Sequence, residues 1–84
     1  MANNSKQKLT LDRPAVYQII IPGHLQGAWQ DWAGDMVVEN RSDHTGKPVT
    51  TLTGKLDQAA LIGLLRRLYS LGVPLISVNC LEIK

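Results

Sequence analysis

The chain has no phenylalanine, one cysteine, two tryptophans and two tyrosines among its 84 residues. A core without phenylalanine must be built from aliphatic side chains, with the few larger rings filling particular places. The single Cys80 cannot close an internal disulfide, so cross-links do not hold the fold. Set in an apolar strand, it reads as a buried structural thiol and favours a reducing, cytoplasmic compartment. No apolar run reaches the length of a membrane span, and residues 1–13 lack the apolar block of a signal peptide, so no membrane association is expected. A basic surplus is missing too. Residues 14–83 carry five Lys or Arg (Arg41, Lys47, Lys55, Arg66, Arg67) against six acids (Asp31, Asp35, Glu39, Asp43, Asp57, Glu82), a balance of −1. That argues against a duplex-binding surface, which gathers several cations on one face to displace counterions.

What is present is a globular composition, 44% hydrophobic and 19% charged, in a length suited to one small domain. Residues 1–14 are polar and aperiodic and read as a disordered tail before a single domain over 15–84. The best-specified stretch begins at Asp57, placed to cap a helix with its carboxylate at the positive end of the dipole. Leu56 and Leu61 form a hydrophobic staple, and Leu61, Leu64, Leu65, Leu68 and Leu71 recur at helical spacing as one apolar stripe. Gly72 suits the left-handed position after the last turn, Val73 can reach back to Leu68, and Pro74 prevents continuation.

Strands are expected at 16–21, closed by Pro22-Gly23, at 36–41, at 48–56 and at 75–83. The second and third are joined by the polar hairpin segment 42–47, and the Thr50, Thr51 and Thr53 cluster suits a strand with one partly wet face. In the last strand the apolar parity changes after Cys80, which predicts a bulge or a strand end covered by something else. A short helix is expected at 24–34, where Trp29 and Trp32 fall on one face. The pair either covers the end of the core or forms a stacking platform. The order is then that of a ferredoxin-like βαββαβ fold of α+β class: a four-stranded antiparallel sheet with one long and one short helix on one face, and the first and last strands at its centre.

Two patterns, Gly23-His24-Leu25 with Trp29 and Asp31-Trp32, and Asp57-Gln58-Ala59-Ala60-Leu61 with Gly63-Leu64-Leu65, Arg67-Leu68, Leu71-Gly72, Pro74-Leu75 and Ser77-Val78, resemble a family of small uncharacterised bacterial proteins. The resemblance implies a compact one-domain protein and brings no activity with it. A weaker resemblance is to acylphosphatases, whose Gly-x-x-Gln-Gly loop is matched in outline by Gly23-His24-Leu25-Gln26-Gly27, with Asn40 resembling their water-orienting asparagine. Where that family carries its phosphate-binding arginine, this chain has Asp31 beside Gln30. A carboxylate there would repel phosphate.

Of the remaining candidates, His24 and His44 have no metal-ligand spacing with the nearby aspartates and read as solvent-facing turn residues. No catalytic constellation, metal site or cofactor motif is present. Ala59, Gly63, Arg66 and Ser70 line the outer side of the main helix, and Val16 and Ile20 would lie on an uncovered sheet face. Small residues and apolar surface of this kind suit association, so a homodimer is expected. The functional expectation is a non-catalytic, self-associating interaction or regulatory module that also binds a protein partner or small ligand, with His24, Gln26, Gly27, Trp29, Trp32 and Asn40 as candidate ligand-binding residues. The alternatives are an acylphosphatase-like hydrolase and a single-strand nucleic-acid binder stacking bases on Tyr17.

Overall fold

A computed structural model of the chain describes residues 9–24 and 36–83. The expected short helix with Trp29 and Trp32 lies outside the described residues, as does the start of the segment read as a tail. The elements are β1 (Ala15–Pro22), β2 (Val37–Ser42), β3 (Pro48–Leu56), α1 (Gln58–Ser70) and β4 (Ser77–Ile83). The strands form one sheet in the order β2-β3-β1-β4, each antiparallel to its neighbours. The fold is therefore α+β, a four-stranded antiparallel sheet with one described helix. Its central strands are β1 and β3. β4 borders β1 but forms an edge, which corrects the expectation of a central last strand: the connection through α1 carries the chain across β1 and leaves β4 on its far side.

The period-two pattern of β1 explains its central place. Ala15, Tyr17, Ile19 and Ile21 are buried on the side that faces α1, while Val16, Gln18 and Ile20 are half-buried on the opposite, open side. In β3, Val49, Thr50, Thr51 and Leu52 are buried in succession, so both faces of this strand are covered at its start. The threonine cluster is thus drier than its composition implies. The core joins Ala15, Tyr17, Ile19, Ile21, Met36 and Leu52 of the sheet side with Leu61 and Leu68 of α1; Val38, Leu56, Leu64, Leu65 and Val73 pack against it. Full burial of a leucine such as Leu68 is worth roughly 1.5–3 kcal/mol.

Both ends of α1 form as their residues dictate. The Asp57 carboxylate accepts from the Ala60 N–H at 2.8 Å. At the other end, Gly72 takes φ +75°, its N–H reaches the Tyr69 carbonyl at 3.0 Å, and the Val73 N–H reaches the Leu68 carbonyl at 2.9 Å. These two bonds close a Schellman motif, whose left-handed residue is best served by glycine. Leu71 departs from the expected stripe: it is the C-cap and is 55% exposed, because the helix ends before its side chain can turn inward. Before β1, the Leu11 carbonyl accepts from the Gln58 N–H at 3.0 Å, tying residue 11 to the start of α1.

The parity change in β4 is a bulge. Tyr17 pairs with Cys80 and Val16 with Glu82, leaving Leu81 as the extra residue. Glu82 consequently lies on the open side and Ile83 opposite Ala15 on the helix side. Leu9 lines a hollow with Cys80, Leu81, Glu82 and Ile83, so the N-terminal segment lies beside this end of the strand. Cys80 itself is exposed, a correction to the buried thiol expected of it. Its position on the helix side would bury it in an inner strand, but at the edge it remains open to solvent.

Candidate functional site

The sheet ends that carry β1's last residues and the hairpin bring together part of the expected ligand-binding set. His24 is exposed, and its Nε2 lies 2.9 Å from the Arg41 carbonyl. Thr50 Oγ1 is 2.7 Å from the Gly23 carbonyl and 3.1 Å from Asn40 Oδ1. A hydroxyl has one proton to give. It is shared between the closer Gly23 carbonyl and the Asn40 Oδ1, both of which accept. His24 and Asn40 lie at the same end of the sheet, His24 reaching past β3 to β2 and Asn40 bonded to the adjacent β3. Gln26, Gly27, Trp29 and Trp32 lie outside the described residues.

The expected interface residues fall into two sets on opposite sides of the molecule. Ala59, Gly63, Arg66 and Ser70 are exposed along α1; the Ser70 hydroxyl donates to the Arg66 carbonyl, and a Cβ built on Gly63 would meet nothing within 4 Å. No described part of this chain uses the space left by that glycine. Val16 and Ile20 are half-buried on the open sheet face and cannot join the same interface. Tyr17, the aromatic proposed for base stacking, is 3% exposed, and its phenolic oxygen accepts from Gln58 Nε2 at 3.2 Å. Its alternating position in β1 turns it into the core, which removes it from any stacking surface.

A hollow of about 470 Å³ lies on the open sheet face beneath the β2–β3 hairpin, lined by Gln18, Ile20, Arg41, Asp43, His44, Val49, Thr51 and Ile76 among others. Pairing explains how these residues meet: Thr51 stands opposite both Ile20 and Glu39, and Val49 opposite Arg41, so β1, β2 and β3 present one continuous row of side chains. The hairpin is held over that row by Asp43. Its Oδ1 accepts from the Thr45 N–H at 2.8 Å, the Thr45 hydroxyl at 2.6 Å and the Lys47 N–H at 3.0 Å. The Thr45 hydroxyl, then the Lys47 N–H, hold the Asp43 carboxyl below the ordinary value of 3.8, so it remains ionised at neutral pH. Arg41 pairs with Glu39 at 3.1 Å, the two side chains 61% and 49% exposed. Thr51 Oγ1 is buried and has no hydrogen-bond partner among the described residues. Of this set the sequence singles out His44 as a turn residue, Ile20 for an interface, and Gln18 and Thr51 as its neighbours on the same sheet face. The missing signal was the path of the hairpin, which sets Arg41, Asp43 and His44 above that face.

The two sheet edges differ. β2 carries Glu39 and Arg41, opposite charges on a six-residue strand. β4 carries one formal charge, Glu82, and exposed apolar side chains at Val78 and Leu81, continued upstream by Leu71, Leu75 and Ile76. Among the described residues no three His, Cys, Asp or Glu side chains group to hold a metal ion, and no helix is long and apolar enough to cross a membrane.

These features define a small α+β domain, one sheet with a helix on one face, a hollow of mixed polar and apolar lining on the other and an apolar edge. The chain belongs to the family described as Domain of unknown function (DUF8691), whose model matches residues 16–79. Neither the curated proteins nor the solved structures give a match.

Proposed function

We propose that the protein is a non-catalytic interaction module of ferredoxin-like topology that self-associates through the edge of β4. The order β2-β3-β1-β4, antiparallel throughout, supports that topology, in which a short helix within residues 24–34 would join β1 to β2. The observation that carries the reading is the unprotected edge. Val78, Leu81, Leu75, Ile76 and Leu71 are 38%, 53%, 44%, 55% and 55% exposed along or beside a strand whose outer edge pairs with no other strand among the described residues. An exposed edge of this kind is a template for pairing with another chain, and natural proteins normally blunt it with charge or a bulge. Here the bulge at Leu81 blunts only the distal part, leaving the regular run Ser77 to Cys80.

A second copy is the occupant that suits this edge. Antiparallel pairing about a two-fold axis at Val78 sets Ser77 against Asn79, Ile76 against Cys80 and Leu75 against Leu81, and brings no two like charges together. An acylphosphatase-like activity would need a cation where Asp31 stands, and Asn40 is already engaged with Thr50. The test is the mass in solution by sedimentation or light scattering. A dimer is expected, and Val78→Lys, which sets two ammonium groups face to face, is expected to give a folded monomer with unchanged far-UV circular dichroism. A wild-type monomer at high micromolar concentration, or a Val78→Lys dimer as tight as wild type, refutes the proposal.

A further inference from the structure

We propose that the hollow on the open sheet face binds a small zwitterion with an apolar body, an amino acid or a close analogue, between Arg41, Asp43 and Thr51. The hollow shares Ile76 with the β4 edge, but its polar groups Arg41, Asp43 and Thr51 lie away from that edge, on β2, the hairpin and β3. Three observations converge on it. The first is Thr51. Its hydroxyl is the buried side-chain polar atom without a partner among the described residues, on a residue only 6% exposed that lines the hollow. An unpaired buried hydroxyl costs free energy that a ligand group arriving within reach recovers, through a χ1 rotation that turns it toward the hollow.

The second is charge of both signs at one rim. The Arg41 guanidinium has five N–H groups and spends two nitrogens, Nε and Nη2, on Glu39 Oε1. That pair is solvent-exposed and weak, so a ligand carboxylate can share the guanidinium. Asp43 receives all three of its hydrogen bonds on Oδ1, and these bonds do not use Oδ2. A lone anion entering here meets Glu39 and Asp43, and a lone cation meets Arg41. A ligand carrying both groups satisfies both residues, and the Gln18 amide and His44 ring lie within the same lining.

The third is the apolar floor of Ile20, Val49 and Ile76, the last of which is 55% exposed. An aliphatic side chain covers this floor while its charged head stays at the rim. The volume of about 470 Å³ falls in the range of small-molecule sites, roughly 300–1,000 Å³.

The experiment is NMR titration of the labelled full chain with leucine, and in parallel with isoamylamine and isocaproate, which lack the carboxylate and the ammonium respectively. Saturable shifts from leucine at Gln18, Ile20, Arg41, Thr51 and Ile76 are expected, with either control at least about tenfold weaker, as the loss of one charge-assisted contact implies. Thr51→Val is expected to fold at least as stably as wild type, because it removes an unpaired hydroxyl, and to weaken binding about fivefold or more. Arg41→Gln should reduce leucine to the level of the amine. No saturable shift from leucine, a control that binds as well as leucine, or binding unchanged in both variants overturns the proposal.

Discussion

Gly54→Ala adds one methyl group to the inner side of β3, directly across from Tyr17 of β1. A Cβ at that position would lie 2.8 Å from Met36 Cγ and 3.3 Å from Met36 Cα and Cβ. The Cγ contact is too short to survive, and Met36 is a core residue, 9% exposed, with little freedom to retreat. Two effects oppose each other. Replacing glycine within a strand gains roughly 0.5–1 kcal/mol by restricting the unfolded chain. Forcing an extra methyl into a packed site costs roughly 1–3 kcal/mol. The crowding term wins, for a net loss of about 1 kcal/mol, which lowers the midpoint of thermal unfolding by about 4–8 °C in a domain of this size. Urea unfolding followed by circular dichroism measures it, and a double-mutant cycle isolates its cause. Met36→Ala alone should cost about 2–5 kcal/mol, but it removes the Cγ, so Gly54→Ala in that background should cost almost nothing. The expected coupling is about 1 kcal/mol in favour of the double variant. Additivity within about 0.5 kcal/mol, or a Gly54→Ala protein more stable than wild type, refutes the assignment of Gly54 to close packing against Met36.

Leu68 is fully buried where α1 meets the sheet, so Leu68→Ala should cost about 2–5 kcal/mol in urea unfolding, whereas Leu71→Ala, at the exposed C-cap, should stay within about 0.5 kcal/mol. The Asp43 carboxyl has a lower pKa folded than unfolded, so its contribution is present above the ordinary value of 3.8 and is lost as pH falls through the folded value. The acid side of a melting-temperature profile should therefore be shallower in Asp43→Asn than in wild type below about pH 4.

Local chemistry was the legible part of this chain. The Asp57 cap, the Gly72-Val73 closure, the hairpin between β2 and β3 and the extra residue after Cys80 follow from neighbouring side chains and backbone preferences, and each is present in the fold. Burial was less legible, because parity tells which residues share a face but not what covers that face. Cys80 and Val78 have the pattern of an inner strand, yet the path of the chain through α1 places them at an edge. Leu71 continues the leucine spacing, yet the helix stops under it. Thr50 and Thr51 have the composition of a wet strand, yet the hairpin and the neighbouring strands close over them. The hollow beside Thr51 was illegible for the same reason: its residues come from four separate stretches and meet only through the register of three strands.

The spare residue at Leu81 has a consequence for how the chain tolerates insertions and deletions. Loss of one residue from a strand ordinarily turns every following side chain to the wrong face. Here removal of Leu81 would leave Cys80 opposite Tyr17, Glu82 opposite Val16 and Ile83 opposite Ala15, the partners they have now. What would change is the outline of the molecule. The interruption that now ends the straight run after Cys80 would vanish, and an uninterrupted border would extend to Ile83, open to indiscriminate strand addition. In this reading a residue that the sheet does not need for its own alignment sets the length of border that a neighbour can grip.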